Sequence, residues 1–288
     1  MFSGIFFRKA FCVVCRLSKS TRRELPFAGS RGLSMKEKIS LAGDLGSGKS
    51  TVSALLIEKL GAAYYSTGAI VRAIAEKHGM TVVELNVYME THPEIDHEID
   101  EGLRRLSDDP RFLIIDSRMA WHFTKGTFKV YLSTDIGVCA SRIMNANRKG
   151  EHAATLEQTV ADTRARRQSE KKRYLAQYGV DIKNLNNYAL VVDTTYATPE
   201  QIADVIVDGF LQWQEDKSFR RAYLSPRRLY VCDTVSSPTG PVCAVEREGE
   251  FYLLSGARAA TDALYCGDVF LPVCLLDADV PAGDYHKL

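Results

Sequence analysis

The chain has 288 residues, 45% of them apolar and 25% charged, and a formal net charge of +1. These are the proportions of a globular protein, and the length admits one large domain or two smaller ones. The balanced charge excludes bulk electrostatic attraction to nucleic acid, and no apolar run approaches the ~20 residues of a membrane span.

Residues 1–34 form a basic extension in which Arg8, Lys9, Arg16, Lys19, Arg22, Arg23 and Arg31 face a single acid, Glu24. Such Arg- and Ser-rich, acid-poor segments are found as transit peptides. The favoured reading is an upstream extension outside the fold, with Met35 standing just before the first core strand. Cys12-Val13-Val14-Cys15 has C-x-x-C form but no second pair to complete a metal site.

Lys38-Ile39-Ser40-Leu41-Ala42 alternates and predicts a short strand. Gly43-Asp44-Leu45-Gly46-Ser47-Gly48-Lys49-Ser50-Thr51 follows and fits G-x-x-x-x-G-K-[ST], the phosphate-binding loop. Val52, Leu55, Leu56 and Leu60 then recur at helical spacing, and Gly61 ends the run. Strand, glycine loop and helix in that order are what the chemistry needs. The glycines let backbone N–H groups turn toward phosphate oxygens, and the helix N-terminus adds about half a positive charge. Lys49 is placed to reach the β- and γ-phosphates of ATP, and the Ser50 hydroxyl to coordinate Mg²⁺. Seven scattered cysteines, an odd number, together with an ATP-type loop argue for reduced thiols and a cytoplasmic setting.

Residues 62–65 read as a brief second strand and 68–78 as a helix stopped by Gly79. Thr81-Val82-Val83-Glu84 is a capping box that opens another helix, and Pro93 starts a third running to Leu106. Phe112-Leu113-Ile114-Ile115 is a continuous apolar run ending in Asp116, as suits a strand buried on both faces of a parallel sheet. Residues 128–132 predict the next strand, with Asp135 as a cap for the following helix. Residues 155–178 predict one or two charged helices, 189–192 another buried strand, and Thr198-Pro199-Glu200-Gln201 the capped start of a helix ending near Trp213. Five strands alternating with helices predict an α/β domain with a doubly wound parallel sheet over residues 35–215. Gln214-Glu215-Asp216-Lys217-Ser218 reads as a polar linker. Beyond it, residues 219–288 predict a small α+β module, with strands at 229–231, 242–245 and 251–254, a helix at 256–265 and a last strand at 269–276. Gly249 would turn the hairpin between its second and third strands.

Helices between the second and third strands suit an arm for a second substrate. Arg72 lies on the first of them, beside Ser66-Thr67-Gly68, and Arg118 lies just past the strand ending in Asp116. Arginine grips a phosphate with two parallel bonds. A surface charge is the competing reading for Arg72; for Arg118, just past the carboxyl end of a parallel strand, a ligand is expected. Arg164, Arg166, Arg167, Lys171, Lys172 and Arg173 form a second basic cluster. It reads either as a mobile lid that stabilises phosphoryl transfer or as a solvated, ion-paired helix. Arg166 and Arg173, seven apart, share a helix face; Arg167 is expected to point elsewhere.

From Ile39 to Trp213 the chain resembles the cytidylate kinase family, especially its compact archaeal-type branch. The residues that carry this are the phosphate loop, Ser66-Thr67-Gly68-Ala69-Ile70-Val71-Arg72, Pro93-Glu94-Ile95-Asp96, Ile115-Asp116-Ser117-Arg118-Met119-Ala120-Trp121, the run from Arg166 to Tyr174, Tyr178-Gly179-Val180-Asp181-Ile182, and Asp193-Thr194-Thr195. The resemblance implies ATP- and Mg²⁺-dependent phosphorylation of CMP or dCMP. It implies that residues 43–51 bind ATP, that Ser66, Gly68, Arg72, Asp116 and Arg118 bind the acceptor, and that Lys49, Arg118, Arg166 and Arg173 serve catalysis. Asp116-Ser117-Arg118 departs from the Glu-Gly-Arg-type strand end common in the family, which bears on base specificity. Another nucleotide or small acceptor, or a regulatory or DNA-associated ATPase, are the alternative readings. Residues 250–273 are also similar to the ParB/sulfiredoxin-like fold, although Ala257 and Ala259 stand where that family usually has charged residues. A structural or interaction role, with a protein partner, is the simpler reading of that module.

Overall fold

β1 (Lys38–Gly43) is buried along all six of its residues because it lies at the centre of a parallel sheet covered on both faces. The computed structural model describes residues 37–145 and 155–288, so the basic extension, its C-x-x-C pair and Met35 lie outside the described residues. The elements that follow are α1 (Lys49–Leu60), β2 (Ala63–Ser66), α2 (Thr67–Lys77), α3 (Val82–Tyr88), α4 (Pro93–Arg105), β3 (Leu113–Asp116), α5 (Ala120–Phe123), β4 (Thr127–Ser133) and α6 (Ile136–Asn145). Next come α7 (Leu156–Tyr178), β5 (Leu190–Asp193), α8 (Pro199–Glu215), β6 (Arg221–Leu224), β7 (Leu229–Val231), β8 (Cys243–Arg247), β9 (Glu250–Ser255), α9 (Ala257–Cys266), β10 (Leu271–Leu275) and β11 (His286–Lys287).

Strands β2, β3, β1, β4 and β5 run parallel in that spatial order. Alternation along the strands sends Ile39, Leu41, Phe128, Val130, Leu132, Leu190 and Val192 to one face, where Val52 and Leu56 of α1 and Ile206 and Phe210 of α8 cover them. Tyr131 and Val191 face the other way, into a second apolar layer with Trp121 and Tyr188. The doubly wound α/β architecture anticipated from the apolar runs is therefore present. The caps are those the sequence signals require. Thr81 and Glu84 satisfy each other's backbone N–H groups, Thr198 and Gln201 do the same, and Gly61 closes α1 in the left-handed region at φ 63°.

The sheet does not stop at β5. Strand β6 pairs with β5 in parallel, and β10 pairs with β6 antiparallel. Strands β8, β9, β7 and β11 carry the sheet on to eleven strands. Residues 37–145 and 155–288 belong to a single compact unit, so the polar stretch at 214–218 joins two parts of one sheet. Two strands lie outside the sequence expectations: β6, whose Arg221-Ala222-Tyr223-Leu224 alternates outward and inward over only four residues, and the two-residue β11. The β8–β9 hairpin is as expected, with Glu248 at φ 55° and Gly249 at φ 91° supplying its turn.

Candidate active site

The phosphate loop leaves β1 through Gly43 at φ 151°, where a Cβ would sit 2.5 Å from the Leu132 carbonyl oxygen of β4. At Gly46, φ 69°, a Cβ would sit 2.7 Å from the Cys139 carbonyl oxygen of α6. The loop is thus threaded between two backbones, which only glycine permits. Gly48 precedes α1 without any side-chain cap, so the first-turn N–H groups are left for an anion. Ser50 and Thr51 are exposed on that turn. The Lys49 ammonium folds back over the loop and donates to the carbonyls of Gly43 at 3.0 Å and Asp44 at 2.8 Å. Burial lowers its pKa to about 8, against the opposing pull of the nearby Asp116 carboxylate.

Asp44 turns away from the loop's mouth into a buried polar knot. Its carboxylate accepts from the Tyr131 hydroxyl at 2.9 Å and the Thr134 N–H at 3.0 Å, and pairs with Lys183 and with Arg167. Burial alone would raise its pKa; Lys183 and Arg167 outweigh that and hold it at about 2. An aspartate in the phosphate loop is therefore neutralised from behind. On the far side of the loop, Arg142 of α6 donates to the Thr194 carbonyl at 2.8 Å and reaches the Gly46 carbonyl at 3.5 Å. Lys183, Tyr131 and Arg142 escaped the sequence reading because each belongs to an element joined to the loop only by tertiary packing.

Across the cleft, Asp116 at the end of β3 accepts from the Tyr64 hydroxyl at 3.0 Å. Ser66 caps α2 by accepting from the Ala69 N–H at 3.4 Å; Gly68 follows in the first turn, and Arg72 is exposed one turn later. The backbone at Arg118 is held by the Trp121 indole N–H, which donates to its carbonyl at 2.9 Å. Its guanidinium pairs with Glu170 of α7 at 2.6 Å, and Arg166 reaches the same carboxylate oxygen at 3.1 Å. Arg173 lies 3.8 Å from Asp96 of α4 and over the Tyr174 ring.

The arginine expected to point elsewhere is the one that reaches the phosphate loop. Arg167 lies 3.5 Å from Asp44 and donates to the Cys139 thiol at 3.2 Å, whereas Arg166 pairs with Glu170 and Arg173 with Asp96, both outside the loop. Thr159, Thr163, Glu170 and Tyr174 are the buried residues of α7, and at 3.6 residues per turn Arg166 and Arg167 lie on opposite edges of that stripe. Arg166 and Arg173 share the edge toward Arg118 and Asp96, and Arg167 takes the edge toward the phosphate loop.

Gly43, Asp44, Arg118, Arg167, Glu170 and Lys183 all line one cleft, so phosphate loop, β3 end and α7 converge. The model of the cytidylate kinase-like family matches residues 38–196, more than half of the chain. The chain belongs to the cytidylate kinase-like family. It is 34% identical to a cytidylate kinase of Archaeoglobus fulgidus over 59% of this chain and 92% of that protein. It is 34% identical to a cytidylate kinase of Thermoplasma volcanium over 67% of this chain and 98% of that one. It is 37% identical to an S-adenosylmethionine-dependent nucleotide dehydratase of Lacinutrix mariniflava over 61% of this chain, and that match spans only 36% of the relative's length. The match to the cytidylate kinase-like model ends at residue 196, before α8 and all of β6–β11. No described helix is long and apolar enough to cross a membrane.

Proposed function

We propose that this chain transfers the γ-phosphoryl group of ATP to a pyrimidine nucleoside monophosphate, CMP or dCMP, in the cytoplasm. The observation that carries the reading is the approach of the β3 end to the phosphate loop, with Asp116 and Arg118 close enough for both charges to act on Lys49. A donor and an acceptor phosphate could meet there. Residues 43–51 cradle the triphosphate, and Lys49 exchanges its bonds to loop carbonyls for bonds to phosphate oxygens. Arg118, released from Glu170, grips the acceptor phosphate, with Asp116, Ser66, Gly68 and Arg72 along the acceptor arm. From α7, Arg167 joins Arg166 and Arg173 as cations able to offset the charge developing on the transferred group. Mg²⁺ needs few protein ligands when it arrives on phosphates, and the exposed Ser50 hydroxyl in the first turn of α1 suits it. When bound, it would neutralise charge between the β- and γ-phosphates. The residues supply position and charge, and no covalent intermediate is required.

The test is ATP consumption against a panel of nucleoside monophosphates. Turnover with CMP and dCMP alone is the expected result. Turnover with a different nucleotide would move the acceptor assignment, and turnover indifferent to every acceptor would remove it. Arg118→Ala is expected to lower kcat/KM for the acceptor by roughly 10- to 100-fold through loss of charge-assisted bonds, with ATP binding little changed. Equal loss for both substrates would take Arg118 out of the acceptor site.

A pH dependence follows from Lys49. With a pKa of about 8 it is charged below that pH and neutral above. A bound triphosphate favours the charged form, so ATP affinity is flat below about pH 8 and falls above it, by at most about tenfold per unit. Calorimetric titrations between pH 7 and about pH 9.5 check this; an affinity constant across that range would contradict the role given to Lys49.

A further inference from the structure

Arg228, in the turn before β7, is the largest of the fully buried side chains. Its Nη1 donates to the Asp193 carboxylate at 3.2 Å and to the Thr195 hydroxyl at 2.8 Å, and its Nη2 donates to the Gly249 carbonyl at 2.5 Å. One guanidinium therefore joins the β8–β9 turn to the carboxyl end of β5. The bonds continue inward. The Thr195 hydroxyl donates to Asp193 and accepts from the Asp135 N–H at the start of α6. The Thr194 hydroxyl pairs with that of Thr134 at 2.6 Å, and Arg142 holds the carbonyls of both Thr194 and Gly46. An unbroken series of packed polar contacts thus runs from the C-terminal hairpin to the phosphate loop.

A buried ion pair offsets its own desolvation only when its geometry is held closely. Residues 193–195 are correspondingly fixed, and they stand where ligands of open α/β sheets bind, beyond the carboxyl ends of the strands. We infer that Arg228 is a positioning residue for the donor nucleotide. Through it, strands outside the region matched by the family model shape the wall that receives the nucleoside end of the triphosphate. This rests on the reading of ATP as the donor.

The test uses the full chain. R228K keeps a cation beside Asp193 but cannot span both Thr195 and Gly249. The charge-neutral pair D193N/R228M removes the network without leaving a lone buried carboxylate. Binding of ATP and of inorganic tripolyphosphate, which touches only the phosphate loop, is measured by calorimetry beside each variant's Tm. The expected result for the double variant is an ATP dissociation constant raised about tenfold with tripolyphosphate binding within about twofold, and a smaller effect for R228K. A purely structural role would weaken both ligands by the same factor or neither, and either outcome overturns the inference. A parent chain that binds ATP no better than tripolyphosphate would instead overturn the donor assignment, and the inference with it.

Discussion

Replacing Lys49 by methionine is expected to lower turnover by about 1000-fold or more while leaving the fold as stable as the parent. The loss follows from geometry: the ammonium is the cation poised over the phosphate loop, 2.8 Å from the Asp44 carbonyl. The retained stability follows from its lowered pKa. Burial holds Lys49 at about 8 in the folded chain, below its ordinary 10.5, so folding works against the charged form at neutral pH. Methionine has a similar shape and no charge to bury, which makes the change neutral or mildly stabilising. A coupled assay of ATP consumption and a thermal melt decide the matter together. Turnover within about tenfold of the parent, in a variant with unchanged Tm, would show that Lys49 does not serve the transferred phosphate.

Arg228→Met is expected to destabilise the chain by about 3–5 kcal/mol, because it strands the Asp193 carboxylate at 1% exposure without its cation. In a domain of this size that corresponds to a fall in Tm of about 10 °C. Adding Asp193→Asn should recover most of the loss, since the uncompensated charge, more than the missing contacts, is what costs stability. Chemical denaturation of the two variants measures the difference. A single variant within about 1 kcal/mol of the parent would mean that the Thr195 and Ser225 donors satisfy Asp193 without Arg228.

What could be read from the chain beforehand divides along a physical line. Local signals were legible: the glycine loop, the capping boxes at Thr81 and Thr198, the apolar run into Asp116, and the helix through Arg166 and Arg173. Each depends on neighbours within about one or two turns. The sheet's continuation was not legible, because pairing of β5 with β6 is settled by α8 folding back across the sheet, and four alternating residues carry too little pattern alone. The same limit applies at the site. Lys183 and Asp44 are 139 residues apart in sequence yet paired, and nothing local to Lys183 announces it. Arg167 is of the same kind: like Arg166 it lies at an edge of the Thr163, Glu170 and Tyr174 stripe, and only the packing of α7 against α6 turns its edge toward the loop.

The continuous sheet has a consequence for how the chain is made. Synthesis proceeds from the N-terminus, and β5, buried at every position, has no outer partner until β6 has been added. β6 in turn needs β10, which begins at Leu271. At roughly 5–20 residues per second, the ribosome takes several seconds to travel from Asp193 to Leu275. For that interval the parallel half carries an open, apolar edge of the kind that recruits other strands. A chain interrupted before β6 is therefore expected to leave β5 as an open edge and to self-associate more readily than the full chain.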